Sequence, residues 1–447
     1  MGDGAACVVE ARVLDARLSP RSSDDAARAL EIAERACGAH VAEGCAEDAR
    51  LRFRRTNRGP RAPAAADAEI SRAIADLDHG CEAGEPVACD ALGDALTSAK
   101  APAPPEPARA IEAYRRALPG LERRCDDGDS FACLRFGRTL AWGGAGMTRA
   151  AEGASAVARA CDGGVAAGCR ELGELYQRGR GVTRDAARGA RLLEDACGAG
   201  DDDACGGLAW ALAYGNGAPE DGPRAFSLGA AACDRGSAAA CATLGNLYER
   251  GQLTPVDLPR AATLRERACD EGVGGACANL AWQLAHGMGL PVDEPRAVAL
   301  AEAGCARTDP VACNNLGVFF AEGRGGLPVD LARAASLYDE SCRRGSGAGC
   351  GNMGYILAVG SGVALNATRA APYLRDGCEA GAQWACYYLG LAHEHGDGAR
   401  LDVPRALDLF RRACRWGWSP GCRDGARLLD GAEGVVADPV EALDLRV

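Results

Sequence analysis

Cysteine is the residue type with the most chemistry to offer in this sequence, present 23 times in 447 residues. All but Cys7 fall into pairs eight positions apart. The pairs are Cys37 and Cys45, Cys81 and Cys89, Cys125 and Cys133, Cys161 and Cys169, Cys197 and Cys205, and Cys233 and Cys241. They continue with Cys269 and Cys277, Cys305 and Cys313, Cys342 and Cys350, Cys378 and Cys386, and Cys414 and Cys422. Thiols so placed can form disulfides, remain buried and reduced, or ligate a metal. Eight residues of continuous helix rise about 12 Å, whereas a disulfide tolerates roughly 4.4–6.8 Å between Cα atoms. A bonded pair therefore requires the chain to reverse between its members, and the Gly163-Gly164 step between Cys161 and Cys169 is suited to that. Each bond would close a loop of about nine residues, worth about 2.6 kcal/mol in the chain-entropy model. Metal ligation fits less well, because zinc sites use closely spaced C-x₂₋₄-C knuckles or added histidines. No CxxC occurs here, and the chain has five histidines. Disulfide bonding is the leading expectation; reduced buried thiols and metal remain the alternatives.

Other catalytic groupings are thin. A serine β-lactamase needs Ser-x-x-Lys with SDN and KTG elements. Lys100 is the only lysine, and Thr97-Ser98-Ala99-Lys100 gives it the wrong spacing from Ser98. His393-Glu394-His395 would point its two imidazoles to roughly opposite sides of a helix, so it is not an H-E-x-x-H zinc motif. The Gly-rich stretch 143–147 has no following lysine and is no phosphate loop. No enzyme activity and no cofactor are expected.

The cysteine pairs recur at steps of 44, 44 and then 36 residues, with a single step of 37. Such a period is the mark of a repeat array. Glycine stands three residues after the first cysteine of most pairs, as at Gly164, Gly200, Gly236 and Gly381, where a helix ending at that cysteine needs a left-handed cap. Gly173, Gly245, Gly317, Gly354 and Gly390 lie four after the second cysteine and make a flat stripe for close helix packing. Twelve before the first cysteine stand Asp185, Asp221, Asp257, Asp293, Asp330, Asn366 and Asp402, all good N-cap residues. Each repeat thus reads as a helix A beginning at the second cysteine, a Gly-containing loop, and a helix B ending at the next first cysteine. The expected fold is all-α: an α/α superhelical solenoid of about twelve helix-turn-helix repeats, each stapled to the next. It is one array over 1–447, with irregular repeats in 1–160, regular ones in 161–422 and a capping half-repeat in 423–447.

Arginines nine before the first cysteine (Arg188, Arg224, Arg260, Arg296, Arg333, Arg369, Arg405) keep phase with the capping acids three positions earlier. They are read as structural, either as i,i+3 ion pairs or as contacts between repeats. A binding surface is better sought on helix A. Asn279, Asn315 and Asn352 lie two after the second cysteine in three successive repeats, and Trp282, Val318 and Tyr355 lie five after it. Amides can pair with an extended peptide backbone and aromatics anchor partners. The competing reading has the amides bridging neighbouring A helices and the aromatics filling gaps between repeats. A further group, Trp384, Tyr387, Tyr388, Trp416 and Trp418, reads as C-terminal core.

The net charge of −12 argues against nucleic acid as a partner, and no 18-residue apolar run offers a membrane span. Disulfides imply an oxidising compartment, hence a periplasmic or secreted monomer that binds a protein or peptide. The stretch MGDGAACVVEARVLDARLSPR lacks the features of a secretory signal. Cys7 behind Gly4-Ala5-Ala6 is read as an unpaired thiol, with a lipid-modified cysteine as the alternative.

The phased set Cys169, Leu172, Gly173, Tyr176, Gly179, Val182 and Asp185, echoed by Leu244, Gly245 and Tyr248 and by Leu316, Gly317 and Phe320, resembles the Sel1-like repeat. Its cysteine-rich, Hcp-type branch is the nearest in pattern. The resemblance implies a right-handed α/α superhelix acting as an interaction scaffold, in that branch secreted or periplasmic. It also implies an alternative function, binding of β-lactams or peptidoglycan fragments with weak hydrolase activity. A reduced cytosolic regulatory scaffold is the second alternative.

Overall fold

The computed structural model describes residues 31, 64–97, 106–142, 149–251, 255–431, 434–438, 440, 442 and 445. The predicted pair of Cys37 and Cys45, the lone Cys7, Ser98, Lys100 and the stretch 143–147 lie outside the described residues. What is described is helical, with twenty α-helices and no strand among the described residues. The chain divides into two compact units, Met1–Val273 and Gly274–Val447, which are considered separately.

The first unit contains α1 (Ala64–Glu82), α2 (Pro86–Thr97), α3 (Pro107–Asp126), α4 (Ser130–Trp142), α5 (Ala150–Asp162), α6 (Ala166–Arg178), α7 (Ala186–Gly198), α8 (Asp202–Ala213), α9 (Gly222–Asp234), α10 (Ala238–Arg250) and α11 (Leu258–Asp270). The second contains α12 (Gly274–His286), α13 (Glu294–Ala306), α14 (Pro310–Glu322), α15 (Leu331–Arg343), α16 (Gly347–Val359), α17 (Ala367–Glu379), α18 (Gln383–His395), α19 (Val403–Arg415) and α20 (Ser419–Leu429). Even-numbered helices are A and odd-numbered ones B. Within each unit an A helix packs on the B helix that follows it, and A helices of successive repeats touch directly.

The small-residue stripe makes this packing possible. A methyl group added at Gly173 would stand 2.9 Å from the Gly189 carbonyl oxygen, and one at Gly137 would stand 2.6 Å from that of Gly153. Helix backbones approach so closely there that no larger residue fits. The small cores this leaves consist largely of alanine and leucine, such as Ala141, Ala154, Val157, Leu172 and Leu175.

The staples form as the spacing requires. In the first unit Cys81 is bonded to Cys89, Cys125 to Cys133, Cys161 to Cys169, Cys197 to Cys205, and Cys233 to Cys241. In the second, Cys305 is bonded to Cys313, Cys342 to Cys350, Cys378 to Cys386, and Cys414 to Cys422. The Cα atoms of these nine pairs lie 4.4–4.7 Å apart. Cys269 and Cys277 are disulfide-bonded as well.

The helix limits differ from the sequence expectation. Helix A was to begin at the second cysteine, yet it starts three residues earlier, as at Ala166 before Cys169. The second cysteines Cys133, Cys205, Cys241, Cys350 and Cys386 likewise lie inside the first turn of their A helices rather than at its start. Helix B runs one residue past its cysteine, as at Asp162. The early start has a cause in a second row of caps four before the second cysteine. Asp201, Ser237, Asp309 and Ser346 accept from the main-chain N–H three residues on, at 2.8–3.2 Å.

The residue three after the first cysteine adopts the left-handed conformation throughout the described repeats, for instance Gly164 at φ 81° and Gly345 at φ 92°. In the repeat of Cys305 and Cys313 this slot holds Thr308 at φ 65°, where a β-branched side chain costs about 1 kcal/mol or more. Thr308→Gly is expected to raise stability by about 1 kcal/mol, read as a higher urea midpoint at unchanged slope. A lowered midpoint would refute this account of the turn.

All seven predicted B-helix caps are in place. The Asp185, Asp221, Asp257, Asp293, Asp330, Asn366 and Asp402 side chains accept from the main-chain N–H of the arginine three residues later. The acid thus pairs with the backbone N–H of that position, which any residue but proline could supply, and not with the guanidinium. The guanidinium does something else: Arg188, Arg260 and Arg333 lie 4.5, 4.8 and 5.0 Å from the ring centres of Tyr176, Tyr248 and Phe320 on the preceding A helix. Other arginines join successive repeats by donating to carbonyls at helix C-termini, Arg180 to Ala141 at 2.6 Å and Arg412 to Cys378 at 3.1 Å. Helix C-termini attract cations for reasons of dipole and unpaired carbonyls.

Candidate functional site

The A-helix faces of the two units differ in charge. On α2, α4 and α6 of the first unit the face is charged and pairs with itself, whereas α8 presents Trp210, 39% exposed, in the slot that Trp282 fills on α12. Arg135 of α4 donates to Asp90 of α2 at 2.8 Å, and Arg138 donates to Asp94 at 2.6 Å. Tyr114 of α3 donates to Asp94 at 2.7 Å. On α6, Arg170 meets Glu174 at 3.4 Å and Asp201 at 3.3 Å. Burial and then Asp94 push the Tyr114 hydroxyl far above the ordinary tyrosine range. That displacement runs away from neutrality, so this phenol is not poised for proton transfer. A face whose charges are matched between consecutive helices holds little charge for a ligand.

In the second unit, α12, α14 and α16 contain no Arg, Lys or Asp, and Glu322 at the end of α14 is their only carboxylate. The predicted residues all lie on these helices, and the structure separates their roles. Asn315 is 5% exposed and its amide donates to the Ala278 carbonyl at 3.1 Å. The Asn352 amide donates to the Asn314 side-chain oxygen at 2.9 Å. Asn279 is half-buried on α12. Two of the three amides therefore bridge adjacent A helices, the second of the two roles open to them.

The aromatics stand differently. Trp282 is 41% exposed and Tyr355 37% exposed, with Val318 half-buried at the same register of α14. The Trp282 indole stacks on His286 of its own helix, ring centres 3.8 Å apart and planes at 30°. The His286 Nδ1 lies 2.9 Å from the Trp282 carbonyl oxygen. Tyr355 packs against Tyr388 of α18, centres 4.8 Å apart. Val359, one turn beyond Tyr355, is also exposed. His286 and Val359 were missed by sequence reasoning, though their spacing of four from Trp282 and Tyr355 on a helix could have found them; Tyr388, read from the sequence as C-terminal core, instead packs beside Tyr355.

The remaining candidates resolve as follows. Tyr387 packs on Phe410 at the edge of the C-terminal core and donates to Asp424 at 2.9 Å, while Trp384 and Trp418, 6.5 Å apart, are half-buried. Trp416 is the exception, 42% exposed beneath the Arg412 guanidinium. His393 Nδ1 lies 2.9 Å from the Arg400 carbonyl oxygen, and Glu394 accepts from Arg427 at 2.6 Å. Among the described residues, Cys305, Cys313 and Glu340 bring three ligand-type atoms together. Both sulfurs are in a disulfide, however, and Glu340 accepts from Arg344 at 2.6 Å, so the group does not fit a metal.

Solved structures similar to this chain include a protective antigen of uropathogenic Escherichia coli described as displaying an SLR fold (20% identical over 93% of this chain and 85% of that one, TM-score 0.47). A Sel1 repeat protein from Oxalobacter formigenes is 22% identical over 70% of this chain and 90% of its own, TM-score 0.44. Helicobacter pylori cysteine rich protein B is 25% identical over 29% of this chain and 94% of its own, TM-score 0.25. No curated protein matches the chain in sequence. The family model for the Sel1 repeat matches residues 166–201, 202–237, 238–273, 275–309, 310–346, 348–381 and 385–415. Proteins built from this repeat are generally non-catalytic scaffolds that mediate protein–protein interaction. Seven consecutive matches over more than half of the sequence, in phase with the staples and caps, place the chain in the Sel1 repeat family.

Proposed function

We propose that this protein is an exported monomeric scaffold that grips an extended, uncharged segment of a partner polypeptide on the A-helix face of its second unit. The observation that carries the reading is the pair of exposed rings, Trp282 on α12 and Tyr355 on α16, in a run of three A helices with almost no ionised side chain. Exposed large aromatics on a rigid frame are the residues that most often dominate binding energy. A charged partner group buried there would find no counter-ion, which is costly, so uncharged segments are selected. The amide bridges from Asn315 and Asn352 hold the helices in register beneath them. Twenty disulfide-bonded cysteines favour an oxidising compartment, and no described helix is long and apolar enough to cross a membrane.

Peptides selected from a random displayed library on the intact protein provide the test. The double variant Trp282→Ala with Tyr355→Ala is expected to bind them at least about tenfold more weakly, the ordinary scale for losing anchor residues. Affinity should change little between low and high salt, since no exposed ion pairs are made. Peptides that bind the double variant as well as the parent, or only at low salt, would refute the assignment.

A further inference from the structure

The last described B helix of the array carries a feature unrelated to the aromatic face. Between residues 400 and 427 stand seven arginines and three aspartates, inside a chain whose net charge is −12. Four of these arginines, Arg405, Arg411, Arg412 and Arg415, line one open hollow along α19 together with Asp408, Leu409 and Leu445. Two of the four are engaged. Arg411 meets Asp408 at 3.6 Å, and Arg412 donates to the Cys378 carbonyl while lying 4.6 Å from the Trp416 ring. Arg405 and Arg415 are exposed, and neither makes an ion pair among the described residues. In three other repeats the arginine of the Arg405 slot covers a tyrosine or phenylalanine. Here the matching A-helix position holds His393, and Arg405 lines the hollow.

Arg405 and Arg415 lie ten residues apart on one helix, about 15 Å along its axis. One phosphate or carboxylate cannot span that distance, so the pair calls for two separate anions. Asp408 between them is matched by Arg411, while Leu409 and Leu445 supply apolar wall. A concave site of this kind does not suit the plane of a bilayer, and the overall negative charge disfavours nucleic acid. An extended chain advances about 3.3 Å per residue and alternates its side chains, so carboxylates four residues apart, on one side of the chain, match the two guanidinia. We propose that this hollow docks an acidic segment of a partner polypeptide, with two carboxylates so spaced around an apolar side chain.

Fluorescence anisotropy on the intact protein tests this with a labelled five-residue peptide bearing glutamate at both ends and leucine at its centre. Binding is expected, weakening several-fold as salt is raised and about tenfold when both glutamates become glutamine. The double variant Arg405→Gln with Arg415→Gln should weaken it about tenfold with the helical circular dichroism unchanged. Trp282→Ala with Tyr355→Ala should leave it unaffected, which separates this site from the aromatic face. Equal binding of the glutamine peptide or of the arginine variant would overturn the proposal. So would competition by inorganic pyrophosphate at equal concentration, which marks a small-anion site. Capture of the protein by phosphatidylglycerol vesicles without peptide binding would overturn it in favour of a lipid surface.

Discussion

Treatment with a phosphine reductant, without denaturant, is expected to unfold this protein at ordinary temperature, while the oxidised form stays folded. Each staple closes a loop of about nine residues and contributes about 2.6 kcal/mol by constraining the unfolded chain. Net domain stability is about 5–15 kcal/mol, so loss of two or three staples already reaches its lower limit. The cores offer little in compensation, because they consist largely of alanine with scattered leucine and bury little apolar area per residue. Loss of far-UV helical signal on reduction, reversed on reoxidation, is the expected readout. Removal of one staple by Cys233→Ser with Cys241→Ser should cost about 2.6 kcal/mol in urea unfolding. Thiol titration of the denatured, unreduced protein should find no more than three thiols, since 20 of the 23 cysteines are bonded. A reduced chain as stable as the oxidised one would show that the staples decorate an already sufficient core.

Replacement of Gly217 by alanine is expected to be the most damaging single methyl addition in the first unit. Gly217 lies in the loop between α8 and α9 at φ 82°, and an added Cβ would stand 1.9 Å from the carbonyl oxygen of Ala186, at the start of α7. The contact is with backbone, so no side chain can rotate away. Left-handed strain of about 1–2 kcal/mol combines with overpacking of about 1–3 kcal/mol, giving an expected loss of about 2–5 kcal/mol. Gly164 is the matched control, with φ 81° but nothing within 4 Å of its missing Cβ. Gly164→Ala should therefore cost only the conformational share. Gly181 repeats the blocked geometry, its Cβ falling 2.0 Å from the Ala150 carbonyl oxygen. Equal effects of Gly164→Ala and Gly217→Ala would remove the claim that these loops lock one repeat onto the previous one.

Much of this architecture was legible because it is local. The Asp185 cap and the Gly164 turn act within three or four residues of themselves, and repetition along the chain multiplies a weak signal into a firm one. The second row of caps at Asp201, Ser237, Asp309 and Ser346 was equally local. Its signal lies only four positions before the second cysteine, so the cysteine itself competes with it as a marker of the helix start. The arginine row shows a different limit: spacing gave the phase between Asp185 and Arg188, yet could not tell a bond to the arginine's backbone from one to its guanidinium. Only in three dimensions does the Arg188 side chain turn out to lie on Tyr176.

The candidate site was half legible for the same reason. Asn315 and Trp282 were found by register, but their fates depend on neighbours brought close by helix packing. Asn315 reaches Ala278, 37 positions away in sequence, whereas Trp282 stacks within its own helix and stays exposed. The sequence by itself determined the repeat, its helices, its caps and its staples, since each is set by interactions spanning a few residues and one period. The tertiary structure alone decided which amides bridge helices, which rings face solvent and where the arginines remain unmatched. Those outcomes rest on contacts between repeats, where small differences in side-chain reach decide which polar group is satisfied and which is left for a partner.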